Sequence, residues 1–449
     1  MTTSLIHKTP STHITLSRVF TTWWPLAASW LLMGTELPAV SAVVARLPNP
    51  EINLAAYGGI VFPLSLIIEA PIIMLLAAST ALSKDWTSYK KLRSFMFGAG
   101  ATLTIVHILM AFTPLYYSVV QGIIGVPDEI VEPARVGLMI MTPWTFSIAF
   151  RRFNQGVLIR FGHSKAIGLG TVIRLTSNLF VLTLGYLSHK FPGIVVATSA
   201  VATGVVCEAM YIGLVVRPVL RNELKTAPPV RPPLSWREFW DFYMPLAMTS
   251  LLFLLSNPIG SSALSRMPDS LISLAVWPVI TGLIFMLRSL GVAYNEVVVA
   301  LLEQPHASVT LWRFMLALGT FTTIILFTIA VTPLAGFWFE HFSALSPALA
   351  ELGRRGIWLA LPMPFLTTLQ SWYQGVILHG RRTRGITESI AVFLVTSALI
   401  LGIGVASGRT TGLFFGLIAL SASMAAQTAW LWHRSRPVLN RLWEAEGRN

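Results

Sequence analysis

The sequence predicts an all-α polytopic membrane protein in which twelve transmembrane helices form two six-helix bundles, related by a pseudo-twofold axis along the membrane normal. Its composition, its apolar runs and an internal repeat lead to this prediction. Hydrophobic residues make up 54% of the 449 residues, charged residues 11%, and the mean hydropathy is +0.68. Soluble domains carry about 25% charged residues. So few charges cannot cover a water-facing surface, so most of the surface must face lipid.

Twelve segments are apolar and long enough to cross a bilayer, which takes ~20 residues of helix. Several of them exceed this minimum, which indicates tilted or kinked helices. The predicted spans lie approximately at 19–45, 52–82, 94–122, 134–158, 164–187, 193–217, 239–265, 271–302, 310–336, 348–378, 385–407 and 410–433.

Basic residues concentrate in alternate connections between the spans. The net charge of +13 therefore indicates topology rather than binding to nucleic acid. By the positive-inside rule, both termini are cytoplasmic and the chain lies in the inner (plasma) membrane. Connections predicted outside are short or acidic, as in Asp128, Glu129 and Glu132. Those predicted inside carry Lys84, Lys90, Lys91, Arg93, Arg160, Lys165, Arg217, Arg221, Lys225, Arg231, Arg237, Arg381, Arg382 and Arg384.

The hydrophilic segments divide the chain into four parts. Residues 1–217 form the N-terminal six-helix bundle, 218–238 a cytoplasmic linker rich in proline and basic residues, 239–434 the C-terminal bundle and 435–449 a cytoplasmic tail. The N-terminus lacks the pattern of a cleaved signal peptide. The one cysteine, Cys207, lies in an apolar run, so we expect no disulfide and no cysteine-based metal site.

The two halves share an internal duplication. At an offset of 220 residues, WPLAASWLLMGTELPAVSAVVARLPNPEINLAA aligns without a gap on MPLAMTSLLFLLSNPIGSSALSRMPDSLISLAV. Shared hydrophobicity does not place prolines and an arginine in register. The identical pairs include Pro25 with Pro245, Pro38 with Pro258, Arg46 with Arg266, Pro48 with Pro268, and Ala55 with Ala275.

A second stretch repeats at an offset of 219, where EPARVGLMIMTPWTFSIAFRRFNQGVLI aligns on ELGRRGIWLALPMPFLTTLQSWYQGVIL. It matches Pro143 with Pro362 and Gln155 with Gln374. Because each half has an even number of spans, the halves share one orientation. Such a pair can enclose a central cavity that opens alternately to each side of the membrane.

The 6+6 arrangement with proline in spans one and seven resembles the MATE-like branch of the multidrug, oligosaccharidyl-lipid and polysaccharide exporter (MOP) superfamily. The stretch GTELPAVSAVVARLPNPEINLAAYG looks most similar to the progressive ankylosis (ANK) family, where a span-one glutamate is followed by a motif like Leu54 to Gly58. The resemblance implies alternating-access export, coupled to H⁺ or Na⁺ in the MATE branch and carrying small organic anions in the ANK branch. Glu36 stands where MATE proteins often have aspartate, which leaves the coupling ion open.

Two acidic residues at membrane depth are predicted to couple transport to an ion. Burial of an ionisable group costs ~2.5–3.5 kcal/mol on insertion scales, so such groups are functional candidates. Glu36 precedes the bend expected at Pro38, and its repeat partner is Ser256. Glu69 in span two has Ser289 as its partner. Static pairing with basic residues is the alternative for both acids.

Polar residues of four spans are predicted to bind the substrate. Arg288 and Asn295, seven residues apart, share a face of span eight, and Arg174 with Asn178 in span five forms an i, i+4 pair. Buried guanidinium groups favour an anionic substrate. The alternative for the span-four arginines is snorkelling to the headgroups. The predicted substrate-binding set is Arg288, Asn295, Arg174, Asn257, Arg151 and Arg152.

Three other ionisable residues lie inside predicted spans. Glu208 and Glu296 are expected to pair with arginine. His107 could shuttle protons, although a simple hydrogen-bonded role is the more common one for a lone histidine.

These features predict a secondary exporter of a small solute, an organic anion or a drug-like compound, coupled to H⁺ or Na⁺. A flippase for a lipid-linked precursor is the alternative. The connections are too short for a soluble active site and contain no metal cluster, P-loop or GxSxG elbow. We therefore expect neither an enzyme nor a cofactor. The expected partners are a small-molecule substrate and membrane lipids, with the chain acting as a monomer.

Overall fold

The computed structural model describes residues 14–302, 304, 307–380 and 384–445, which are helical and contain no strand. Arg381 and Arg382, predicted in a cytoplasmic loop, fall outside the described residues. Ten helices are long and apolar enough to cross a membrane. They are Leu16–Val44 (α1), Pro50–Leu82 (α2), Trp86–Phe112 (α3), Lys165–Ser188 (α5), Gly193–Leu224 (α6), Trp236–Ser265 (α7), Ser270–Leu301 (α8), Ala307–Val331 (α9), Arg384–Ser407 (α11) and Gly412–Leu442 (α12).

The other two predicted spans are also helical. Asp128–Arg160 (α4) is long but carries charged residues at both ends and in its inner part. The tenth span (α10) is broken into Pro347–Gly356, a 3₁₀ turn at Ile357–Ala360, and Met363–His379. The structure thus confirms the all-α, multi-pass architecture.

Equivalent helices pack against each other in both halves. In the first half α4 contacts α2, α3 and α6, and α6 contacts α5. In the second half α10 contacts α8, α9 and α12, and α12 contacts α11. The duplication read from the sequence is therefore also a duplication of packing.

The same hydrogen bond fixes the start of the last helix in each half. The Asn53 side-chain oxygen accepts from the backbone N–H of Ile194 at 2.9 Å. In the second half the Ser273 hydroxyl accepts from the backbone N–H of Leu413 at 3.1 Å. Each bond provides an acceptor for a backbone N–H group in the first turn of the helix, which would otherwise have no partner.

Helix α1 is interrupted at Thr35, between the segments Leu16–Gly34 and Glu36–Val44. The cause is Pro38, which has no backbone N–H to donate to the carbonyl four residues earlier, that of Gly34. The predicted bend is therefore present, and it places Glu36 at the start of the second segment.

Helix α7 has the equivalent proline, Pro258, yet runs unbroken over Trp236–Ser265. Here the carbonyl that proline leaves without a donor belongs to Leu254, and the Asn257 amide donates to it at 3.3 Å. The equivalent of Asn257 in α1 is Leu37, which has no donor. The freed carbonyl therefore has a side-chain donor in α7, and the residue at the equivalent position of α1 cannot supply one.

The two halves meet on the pseudo-twofold axis at Gly58. A Cβ on this glycine would lie 2.4 Å from the Pro278 ring, so only glycine allows this approach. Gly58 and Pro278 are themselves 220 positions apart, which puts their contact on the axis. Around Gly58 the helix widens into a π-helical segment, Ala55–Val61.

The N-terminal parts of α1 and α7 each pack on the opposite half. The Trp23 indole donates to the Leu290 carbonyl at 2.9 Å. The Tyr243 hydroxyl, at the equivalent position of α7, donates to the Pro71 carbonyl. Both helices therefore span the two halves.

The connection between halves is shorter than the predicted 218–238. Helix α6 continues through Pro218 and ends in a π-helical turn at Leu220–Leu224, and α7 begins at Trp236. The helix stops later because the clustered prolines, which cannot continue it, begin only at Pro228. The last helix likewise runs on to Ala445, through most of the predicted tail.

Asp85 anchors this connection to the first bundle. Its carboxylate accepts from the backbone N–H groups of Ser88 at 2.8 Å and Val230 at 3.0 Å. Burial alone would raise the pKa of Asp85, but these hydrogen bonds outweigh it and hold the pKa below its ordinary value.

Replacing Asn257 by Leu should destabilise α7. The Leu254 carbonyl would lose its donor at membrane depth, which costs about 1–3 kcal/mol. Thermal unfolding in detergent should show a lower Tm for Asn257→Leu. The control is Ser256→Ala, because the Ser256 hydroxyl donates to the Phe253 carbonyl. That carbonyl also accepts from a backbone N–H of the continuous helix, so loss of the Ser256 hydroxyl should lower the Tm less. Equal losses of Tm would contradict this role of Asn257.

Candidate functional site

Four charged side chains from four helices of the first half form a continuous series, which we term the charge chain: Glu36, Arg174, Glu208 and Arg151. Arg174 Nη2 lies 3.3 Å from Glu36 Oε2, and its Nε lies 3.6 Å from Glu208 Oε2. Arg151 Nη1 lies 2.6 Å from the same Glu208 oxygen. Acids and bases alternate, so the series is neutral overall.

Two amides complete the coordination of the carboxylates. Asn178 donates to Glu36 Oε1 at 3.0 Å, and Gln155 donates to Glu208 Oε1 at 3.0 Å. The Glu36 side chain is 17% exposed, whereas that of Glu208 is 0% exposed. The charge chain therefore runs from a partly accessible carboxylate into the bundle core.

The second half has neutral residues at these positions. The counterparts of Arg151 and Glu208, 219 positions later, are Gln370 and Gln427. The Gln370 amide donates to Gln427 Oε1 at 3.3 Å, so the same contact is made without charge. Ser256 replaces Glu36, and Phe393 replaces Arg174.

The second half shows whether the fold itself requires charges at these positions. Replacing a buried ion pair by neutral residues is often neutral or stabilising. Since the second half packs the equivalent helices with an amide pair, packing alone does not require charges at these positions. The charges of the first half therefore call for a functional explanation.

Glu69 lies near the charge chain but makes no contact with it. It is 3% exposed, and its Oε2 has no hydrogen-bond partner among the described residues. The positive charges that act on it are those of Arg152 and Arg151 on α4. Arg152 Nε is likewise buried and unpartnered within the described part of the chain.

Arg288 and Asn295 both contact α10. Arg288 Nε donates to the Thr367 hydroxyl at 2.8 Å, and Asn295 donates to the Ser371 carbonyl at 3.2 Å. No carboxylate lies within ion-pair distance of Arg288 in the described ranges. Its guanidinium thus keeps donors for a further acceptor.

The remaining predicted residues have local partners. The Asn257 amide donates a hydrogen bond to the Leu254 carbonyl, as described above. His107 Nε2 donates to the Leu138 carbonyl at 2.9 Å and its Nδ1 contacts the Thr145 hydroxyl at 2.8 Å, so both ring nitrogens are occupied. Glu296 is exposed and, unlike Glu208, has no arginine partner among the residues described.

Sequence reasoning missed Gln155 as a partner of Glu208. A signal was present, because Gln155 follows Arg151 by four residues and so shares its helix face. It also missed a second set of contacts formed by the duplicated arginines Arg46 and Arg266.

These arginines join the halves at the ends of α1 and α7. Arg46 donates to the carbonyls of Phe342 at 2.7 Å and His341 at 2.5 Å. Arg266 donates in return to the Ile123 carbonyl. Phe342 and Ile123 are equivalent positions, so the contacts are reciprocal; we term them the arginine clasp.

No known protein family matches the sequence, and no curated protein is similar to it. Solved structures do share its fold. An inward-facing multidrug resistance MATE family transporter of the MOP superfamily superposes with a TM-score of 0.69 at 15% identity, covering 93% of this chain and 99% of that one. An outward-facing transporter of the same description gives 0.62 at 16% identity, covering 96% and 97%.

A MOP superfamily transporter from Pyrococcus furiosus gives a TM-score of 0.63 at 15% identity, covering 97% of each chain. It is described as having a binding pocket of reversed polarity that suggests a different function. The TM-scores show that the chain has the MATE fold, whereas identities this low leave its function to be argued from the residues.

Glu208→Gln should destabilise the first half, because breaking a buried pair leaves Arg151 uncompensated at a cost of about 3–5 kcal/mol. The double variant Arg151→Gln with Glu208→Gln recreates the amide pair of the second half and should recover most of that loss. Tm values in detergent test this expectation. The matched control is Gln427→Glu, which should destabilise the second half. If the double variant had a Tm as low as that of Glu208→Gln, an amide pair would not be able to replace the Arg151–Glu208 ion pair.

Proposed function

We propose that this protein is a secondary active, alternating-access exporter of a small organic anion or drug-like solute, coupled to H⁺ or Na⁺ and located in the inner membrane. The observation that carries the proposal is that the charge chain lies in one of two equivalent bundles, whereas the equivalent positions of the other bundle hold neutral residues. A static scaffold has no use for that asymmetry, whereas a coupled transporter needs an ion site in addition to a substrate site. The MATE fold supports the proposal.

Glu36 is the proposed ion-coupling residue of the charge chain. It is the more accessible of the two carboxylates, and its 3.3 Å contact with Arg174 is looser than the 2.6 Å contact that holds Glu208. A proton or Na⁺ at Glu36 would weaken its attraction for Arg174. Because Glu36 begins the second segment of α1, this change acts directly on the bend at Thr35.

Glu69 is the second proposed coupling residue. A buried carboxylate without a hydrogen-bond partner is strongly disfavoured as an anion, so a cation there lowers the free energy of the buried state. The positive charges of Arg152 and Arg151 repel a cation bound at Glu69. Any movement of α4, which carries both arginines, would therefore change the affinity of Glu69 for that cation.

Arg288 is the proposed principal anion-binding residue, with Asn295 on the same helix. Of the four arginines predicted to bind substrate, Arg174 and Arg151 are engaged by carboxylates, so they reach an anion only when those pairs open. Arg152 and Arg288 have no such contact among the described residues. An anionic substrate, as the ANK resemblance implies, fits this set, and Asn257 leaves it because its amide supports α7.

The arginine clasp supports an inward-facing state. It joins the halves at the end of the molecule opposite the predicted cytoplasmic termini, and the higher of the two TM-scores is with the inward-facing transporter. In an alternating-access cycle these contacts would break when the outer side opens.

Glu36→Gln should abolish gradient-driven flux while leaving the fold intact, because Gln keeps the hydrogen-bonding shape but binds no proton or Na⁺. The measurement is uptake into proteoliposomes with an imposed pH or Na⁺ gradient, using citrate, nucleotides and a cationic dye. The control is Glu296→Gln, which changes an exposed acid without a described partner. Unchanged flux in Glu36→Gln would remove Glu36 from the mechanism. Flux of a lipid-linked precursor alone would favour the flippase.

Loss of the arginine clasp should shift the protein towards outward-open states. In a Cys207→Ala background, spin labels at the equivalent exposed positions Glu129→Cys and Ala348→Cys report the distance between the outer ends of the halves. Arg46→Gln with Arg266→Gln should add a longer-distance population. Arg135→Gln is the control, since its hydrogen bonds stay within the first half, to Ala111, Phe112 and Tyr117. An unchanged distance distribution would contradict a gating role.

A further inference from the structure

A groove of about 560 Å³ runs along the outer surface of the first bundle, with α4 as its floor and α3 and α6 as its walls. Its rims are apolar and accessible, with Phe97 46% exposed, Met210 65% and Leu214 57%. None of the charge-chain residues lines it, and it plays no part in the proposed transport mechanism. Its rims face the region that lipid occupies around a membrane protein.

The lining of the groove changes from polar to apolar along its length. Helix α3 runs in the opposite direction to α4 and α6, so Arg93 and Arg217 line one end while Phe97, Phe146 and Met210 lie towards the other. The polar end is next to the connections rich in basic residues that the positive-inside rule places in the cytoplasm. The groove is therefore polar at headgroup depth and apolar at acyl-chain depth.

The charges at the polar end are uncompensated. Arg217 makes no ion pair within the described ranges, and Arg93 lies 5.8 Å from the centre of the Tyr89 ring. None of the described residues that line the groove is acidic. Two exposed guanidinium groups above an apolar channel are complementary to one ligand class, an anionic headgroup with an acyl chain.

The equivalent position in the second half has lost this arrangement. Trp312 replaces Arg93, and Arg436, the counterpart of Arg217, lies 3.6 Å from the centre of the Trp432 ring. The pair of exposed arginines is thus a feature of the first half and not a by-product of the duplication.

We propose that this groove is a binding site for one anionic phospholipid of the cytoplasmic leaflet. The lipid phosphate lies between Arg93 and Arg217, and an acyl chain follows the apolar wall past Phe97 and Met210. The floor of the groove, α4, also carries Arg151 and Arg152 on other faces, so an occupied groove would restrain the helix that holds the charge chain.

Native mass spectrometry of the purified full chain tests this site with an equimolar mixture of phosphatidylglycerol and phosphatidylcholine. The wild type should retain phosphatidylglycerol preferentially. Arg93→Gln with Arg217→Gln should reduce that retention by about 20- to 30-fold, since each arginine near the surface contributes about a fivefold factor. Arg93→Lys with Arg217→Lys should retain most of the binding.

Arg436→Gln is the matched control from the second half and should bind the lipid as the wild type does. A Tm series with inorganic phosphate alone separates a lipid site from a phosphate site. Equal retention of the two lipids, full retention by the double Gln variant, or stabilisation by phosphate equal to that by phosphatidylglycerol would each overturn the proposal. Binding is measured without any transport step, so the result does not depend on the proposed function.

Discussion

Glu208 holds the first bundle together because a carboxylate inside a membrane protein has no water to solvate it. Each of its oxygens finds a partner on α4, from Arg151 and from Gln155, and Arg174 of α5 approaches the same group. Three helices are thus joined through one carboxylate. The packing of α4, α5 and α6 and the electrostatics of the charge chain therefore depend on the same contacts.

Because of the internal duplication, each position of the first half can be compared with an equivalent position in the second half, where the helices pack in the same way. Where the two halves agree, as in the bonds of Asn53 and Ser273 to the last helix, the residues serve the fold. Where they differ, the difference has a local physical cause. The Asn257 amide on α7 donates to a backbone carbonyl, which Leu37 at the equivalent position of α1 cannot do, and charges replace amides in the core. The charge chain belongs to the first half, whereas Arg288 and Asn295 belong to the second.

The spans and the duplication could be predicted because apolar length and proline spacing are one-dimensional signals. The partner of each arginine could not, because it depends on how the helices rotate about their axes. Glu208 was expected to pair with arginine, yet its two arginines come from different helices. Asn257 was predicted to bind substrate, whereas in the structure its amide donates to the Leu254 carbonyl. The sequence shows that Asn257 follows Leu254 by three residues. It does not show whether α7 continues past Pro258, and the hydrogen bond between the two residues depends on that continuation.

Coupling requires an element with two arrangements whose balance both ligands can shift. In the proposed mechanism, helix α1 is this element. Its N-terminal part packs on the second half through Trp23, its middle is bound to the first half through Glu36, and Arg46 at its far end reaches the second half again. The break at Thr35 separates these attachments, so the two segments can reorient independently. In the proposed mechanism, neutralising Glu36 weakens the one attachment of these three that ties α1 to its own half, and ion binding thereby shifts the helix that joins both halves.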